Sequence, residues 1–224
     1  MKGRKDVFKH QLVKPFELSS IEDNDKRYYL CPDGTKLKSV TTVLGEKLDK
    51  SGLVEWRKRV GEEEANRVVK TATRRGSAVH KLCEQYLMNE DILRGGFKSK
   101  VNPLHFEAFY RIRPILDHSV QEIWGIELPL YSKTLKAAGR TDLACIWDGI
   151  PTIVDFKTAN KEKKEDWIIS YFLQSTCYSM MFDRLYNVQV PQIVIIIVND
   201  EGTVQVFKKE RNDYVGKVLD IFCG

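Results

Sequence analysis

The spacing of apolar positions changes character near residue 120. Before that point Val79, Leu82, Cys83 and Tyr86 recur at the interval of a helix face, and the pattern carries to about Met88. Leu104, Phe106, Phe109, Ile112 and Leu116 repeat the interval and predict a helix from Pro103 through Leu116. Beyond it, segments 121–131, 138–147 and 151–157 are short, rich in β-branched and aromatic residues, and parted by turn residues such as Asp148-Gly149. They predict three consecutive antiparallel strands. Asp166 to Tyr186 is again helical in pattern. Ile193 to Val198 is apolar throughout, which suits a central strand covered on both faces. Glu201-Gly202 turns the chain into Val204 to Phe207, and a closing helix is expected from Asn212 to about Phe222.

Residues 1–27 are polar and charge-rich and read as an irregular lead, leaving one domain over residues 28–224 with its core at about 71–207. Tyr28 to Leu30, the turn at Pro32-Asp33-Gly34-Thr35, and Leu37 to Val43 predict a hairpin, because Asp-Gly supplies the positive φ of a tight turn. Asp49 or Ser51 can cap a helix through Val60, and Glu62, Glu63 and Glu64 suit the first turn of another helix, running to about Lys70. Thr71 to Thr73 reads as a joint and Gly95-Gly96 as a breaker. The expected fold class is therefore α/β, with a mixed central sheet of about five strands flanked by helices, an N-terminal hairpin and helical additions.

Composition narrows the picture modestly. The chain has 224 residues, 42% hydrophobic and 30% charged, as expected of one soluble globular domain. Its longest apolar run, Ile193 to Val198, is far short of the roughly 18 residues that span a bilayer. The basic N-terminus lacks the apolar stretch of a secretory signal, so an intracellular, soluble protein is expected. Five cysteines, widely spaced and without a CxxC pair, read as reduced thiols. A net charge of +5 is too small to identify a polyanionic partner by itself.

The chemistry concentrates in the second half. Gly139-Arg140-Thr141-Asp142 opens one predicted strand and Asp155-Phe156-Lys157 ends the next, so the Asp148-Gly149 turn brings the two ends together. Residues two apart in a strand share a face, which sets Asp155 beside Lys157 and sends Phe156 to the apolar side. Two carboxylates and a lysine form the set that metal-dependent phosphodiester cleavage requires, since hard oxygen ligands hold Mg²⁺ or Mn²⁺. In that reading Asp142 and Asp155 bind the metal, the Phe156 carbonyl adds a ligand, and Lys157 orients or helps deprotonate the attacking water. A lone DxK triplet is more often a solvated strand end; here it closes an apolar strand, follows GxxD by a short turn and precedes a long helix.

That helix carries Gln174 and Tyr178 four apart, with Tyr171 three before Gln174, either lining the same cleft or packing as an ordinary amphipathic face. Upstream, Gly76, His80 and Glu84 share a helical stripe; His80 can bind the metal or the scissile phosphate, or be structural. Glu127, inside the apolar strand Ile126 to Leu130, needs a metal, a lysine or a backbone donor to offset its burial. Arg67, Lys70 and Arg74 fall on one face if the helix is continuous there, with Arg75 and Lys81 close by, forming either a phosphate-binding stripe or a solvated face. Trp56, Tyr110 and Trp167 can stack on bases or belong to the core.

Taken in order, GxxxH (Gly76, His80), an acidic strand residue (Glu127), GxxD (Gly139, Asp142), DxK (Asp155, Lys157) and QxxxY (Gln174, Tyr178) resemble the RecB-like branch of the PD-(D/E)XK nucleases over residues 70–200. Ser39 to Leu44, a helix with Trp56 and the run Arg74 to His80 extend the similarity toward the mitochondrial genome maintenance exonucleases and their phage-encoded relatives. The resemblance implies a restriction-endonuclease-like core, Mg²⁺ or Mn²⁺ dependence, and exonucleolytic cleavage of DNA with single-stranded ends preferred. It places the chain in replication, repair or recombination, in a bacterial or phage-infected cytoplasm, with DNA and other replication or recombination proteins as partners. It makes His80, Asp142, Asp155 and Lys157 the catalytic set, with Gln174 and Tyr178 in support. Relatives with an iron–sulfur cluster use several C-terminal cysteines where this chain has only Cys223, so no cluster is expected. A structure-specific endonuclease on the same core and a non-catalytic DNA-binding module are the alternatives.

Overall fold

A computed structural model describes residues 8–24, 26–92 and 102–224. The Gly95-Gly96 breaker and residues 1–7 of the expected lead lie outside these. Nine strands are described: β1 (Lys9–His10), β2 (Ser19–Asp23), β3 (Lys26–Leu30), β4 (Lys36–Ser39), β5 (Val120–Ser132), β6 (Ala137–Trp147), β7 (Ile150–Ala159), β8 (Gln192–Asn199) and β9 (Val204–Glu210). The helices are α1 (Val40–Lys47), α2 (Ser51–Val60), α3 (Glu62–Leu87), α4 (Pro103–Ser119), α5 (Ile169–Tyr186) and α6 (Asn212–Cys223), with a 3₁₀ turn at Glu165–Trp167. All nine strands join one mixed sheet flanked by helices, more than the five expected.

The strand of greatest use to the core is β8, parallel to β7 and antiparallel to β9. Ile193, Ile195 and Ile197 pack on the side of α1, α5 and α6, while Val194, Ile196 and Val198 pack on the side of α3 and α4. Burial on both faces is why this segment is apolar without alternation. β5, β6 and β7 form the antiparallel meander, and its β6–β7 turn uses Asp148 and Gly149 at φ of 49° and 83°, the paired positive values of a two-residue hairpin.

Three local expectations are corrected. The lead expected to be irregular to residue 27 contributes β1, which pairs with β5, and β2, which pairs with β3. The hairpin strand expected to reach Val43 stops at Ser39, whose hydroxyl accepts the Thr42 N–H and starts α1. The joint at Thr71 to Thr73 is absent, because α3 is one helix of 26 residues in which the Thr71 hydroxyl bonds back to the Arg67 carbonyl. No helix among the described residues is long and apolar enough to cross a membrane.

Candidate active site

The site forms where the sheet loses a pairing. One edge of β6 carries β5 along its length. The other edge is shared, with β7 on Leu143 to Trp147 and β4 on Ala137 and Ala138. Between them residues 139–142 have no strand on that edge among the described residues. Asp142 closes part of the break: its Oδ2 accepts the Phe156 N–H at 2.7 Å, replacing the ladder bond that β6 ceases to supply. Gly139 opens another part, since a Cβ there would lie 2.5 Å from the Tyr178 hydroxyl, which reaches into the break from α5.

Groups from both faces of the sheet meet at this break. Asp155 and Lys157 point toward α5: the Lys157 ammonium contacts the Asp155 carboxylate, and Gln174 Nε2 donates to Asp155 Oδ1 at 3.2 Å. The Lys157 Nζ lies 5.2 Å from the centre of the Tyr171 ring. Phe156 points the other way, 2% exposed in the core beneath α3, where the His80 ring meets its edge at 6.1 Å. His80 Nδ1 stands 3.4 Å from Asp142 Oδ2, so Asp142 joins the two sides.

Glu127 arrives by a distortion of β5. It sits at φ 47° within a strand, between the pairs Ile126↔Leu143 and Leu128↔Thr141, which sets it across from Asp142. A left-handed residue inside a strand stores local strain, a feature that gathers at functional sites. Gly125 accommodates the kink, because a Cβ there would come within 2.8 Å of Leu128. Donor atoms of His80, Glu127 and Asp142 all fall within 4.8 Å of one another. No ion pair engages Glu127 among the described residues. One imidazole and two carboxylates, without a cation of their own between the acids, form a donor set that could hold a divalent metal ion. The Phe156 carbonyl leaves the strand on the same edge as its N–H, toward Asp142, and is a fourth candidate ligand.

The electrostatics follow from burial and proximity. Burial, opposed by the Lys157 ammonium and reinforced by the Asp142 charge, pushes the Asp155 carboxyl up to about 6. At Asp142 burial pulls the same way, but His80, Lys157 and the Phe156 N–H outweigh it and hold the carboxyl below its usual range. Burial and the Asp142 charge raise Glu127. For His80 and Lys157 burial opposes the charged form, yet the neighbouring carboxylates more than offset it, raising both.

The remaining candidates separate. Glu84 accepts from Lys81 at 2.9 Å and lies outside the donor cluster, although both line an open cleft of about 520 Å³ beside His80 and Glu127. Tyr178 is buried against Gly139 rather than exposed to a ligand. Gly76 lines the same cleft and faces the Thr158 hydroxyl. Because α3 is unbroken, Arg67, Lys70 and Arg74 share a face and are exposed, with Arg67 bonded to Glu64. Arg75 turns away to Asp200 and Asn160. Trp56 is half-buried, whereas Tyr110 and Trp167 are exposed. Arg27, which lines the cleft from β3, carries no motif that sequence reasoning detects.

No family model and no curated protein matches the chain. Among the twelve solved chains that match is a bacterial one. It is described as "Putative exonuclease" from Eubacterium rectale, with 11% identity, a TM-score of 0.46, and a match covering 66% of this chain and 63% of that one. The chain thus spans a little under two thirds of that protein's length.

Proposed function

We propose that this chain is a metal-dependent nuclease that hydrolyses DNA phosphodiesters from strand ends and takes single strands in preference. The observation that supports hydrolysis is the meeting of Asp142, Asp155 and Lys157 at the break in the sheet, beside the His80, Glu127 and Asp142 donor group. DNA, free ends and single strands rest on the order of the sequence motifs.

Asp155, expected as a metal ligand, is engaged by Lys157 and Gln174 and stands outside the three-residue donor group, so in this reading His80, Glu127, Asp142 and the Phe156 carbonyl would hold the cation. A divalent ion there supplies positive charge for the phosphate and its transition state. Lys157, in contact with Asp155, donates to a phosphate oxygen or orients the attacking water. Asp155, raised to about 6 and ionised at neutral pH, accepts the proton as the water oxygen bonds to phosphorus, and the departing sugar oxygen takes up a proton from solvent. Gln174 holds that carboxylate in position through Oδ1. His80 Nδ1, 3.4 Å from Asp142 Oδ2, also fixes the orientation of that carboxylate.

The test is degradation of end-labelled single-stranded, double-stranded and closed circular single-stranded DNA with Mg²⁺ or Mn²⁺. Linear single strands are expected to disappear first, the circle to survive, and EDTA, Asp155→Asn or Lys157→Ala to stop the reaction. Cutting of the circle would make the enzyme an endonuclease. Cleavage that persists in EDTA would overturn the metal mechanism, and binding without cleavage under either metal would leave a DNA-binding module.

A further inference from the structure

A second cleft lies on the α5 side of the break and, Gln174 apart, is lined by residues the hydrolysis just described does not use. It holds about 550 Å³ between α1 and the start of α5, within the roughly 300–1,000 Å³ of small-ligand clefts. Its inner end is Tyr171 and Gln174, which touch Lys157 and Asp155. Its outer lip is Trp167, 65% exposed, whereas Trp56, Trp124 and Trp147 are half-buried or buried. Trp167 is held there, because the adjacent Ile168 is 1% exposed and anchors the turn. Exposure of one side chain is ordinary, but an indole held on the lining of a cleft that also reaches Tyr171 and Gln174 offers a flat apolar face with a polar edge to a ligand there.

The polar lining favours an anionic strand. Lys50 and Lys217 face the cleft without an ion-pair partner among the described residues, and the Lys164 ammonium lies 5.5 Å from the centre of the Trp167 indole. Two acids also line it. Asp49 spends its oxygens on the Ser51 backbone N–H and hydroxyl, while Asp166 stays exposed.

We propose that this cleft is a nucleobase subsite: one unpaired base of a polynucleotide stacks on Trp167, its flanking phosphates meet Lys50 and Lys217, and the strand leads inward past Tyr171 to Lys157. A base inside a duplex cannot offer a free face to the indole, so the subsite selects unpaired strands whatever their sequence. The proposal rests on the nuclease reading only for the direction of the strand.

Fluorescence anisotropy in EDTA, where nothing is cut, tests it with labelled oligo-dT and a base-free sugar–phosphate oligomer of equal length. Trp167→Leu and Trp167→Ala are expected to weaken oligo-dT binding about 5- to 150-fold, while Trp167→Phe keeps most of the affinity. The base-free oligomer should bind all four proteins alike, and their melting temperatures should agree, since the side chain is exposed. Undiminished oligo-dT binding by Trp167→Leu, equal loss on the base-free oligomer, or no binding by the parent protein would each overturn the subsite. Cleavage with Mg²⁺ is followed in parallel. Trp167-dependent binding without cleavage overturns the nuclease reading alone, and cleavage without Trp167 dependence overturns the subsite alone.

Discussion

Replacing Gly139 with alanine tests whether the break along β6 is shaped by Tyr178. The added Cβ would lie 2.5 Å from the tyrosine hydroxyl, 2.8 Å from Cε1 and 3.0 Å from Cζ. Neither partner can yield freely, because Tyr178 is 4% exposed on a packed helix and β6 is held by β5 along its other edge. Overpacking of this kind costs about 1–3 kcal/mol. In a domain of this size each kcal/mol moves the midpoint roughly 2–4 °C, so Gly139→Ala should melt about 2–12 °C below the parent. Circular dichroism melts in EDTA measure this without a contribution from metal. Adding Tyr178→Phe removes the atom at 2.5 Å but leaves Cε1 at 2.8 Å, so the double variant should recover part of the loss, a coupling visible in a double-mutant cycle. Equal midpoints for parent and Gly139→Ala would refute the reasoning.

Gly76→Ala is the contrasting case, since its Cβ meets only the Thr158 hydroxyl at 3.6 Å; melting should show it neutral or more stable by up to about 1 kcal/mol. Mn²⁺ at about 100 times its dissociation constant should stabilise the protein by roughly 2.7 kcal/mol in calorimetry, and Glu127→Gln and Asp142→Asn should reduce or abolish the gain. The metal-free pH profile carries a signed prediction. Asp155 binds its proton more tightly folded than unfolded, so its stabilising contribution is present below pH about 4 and lost as pH rises through about 6. The parent should therefore lose up to about 3 kcal/mol relative to Asp155→Asn across that window, and parallel stability curves for the two would contradict the raised carboxyl.

The parts of the fold that were legible in the sequence are those with a single strong cause. The unbroken apolar run of β8 reports burial on both faces, and Asp148-Gly149 reports a two-residue turn, so the pairing of the GxxD and DxK strands could be read directly. Competing local signals defeated the reading elsewhere. Val40, Thr41, Thr42 and Val43 are β-branched and favour a strand, but the Ser39 cap and the burial of Val40 and Leu44 make them a helix. Thr71-Ala72-Thr73 reads as a joint, yet burial of Ala65, Val79 and Leu82 along one stripe carries α3 through. β1 and β2 are short, polar edge strands without an apolar period to betray them. Within the site, the DxK geometry follows from strand alternation, whereas the left-handed backbone that brings Glu127 to Asp142 has no local signature.

The crossover between β7 and β8 ties the site to the completion of folding. Thr152 meets Gln192 40 residues further along, with all of α5 in the intervening chain. The β6–β7 hairpin bearing Asp142 and Asp155 needs only adjacent sequence and can close early, as local pairings do. Gln174 and Tyr171 reach Asp155 and Lys157 only when α5 has docked on β7. A chain arrested before that point therefore displays its acids to water with no enclosing wall, and the raised carboxyl of Asp155 should appear in a refolding experiment with docking of α5 rather than with formation of the hairpin.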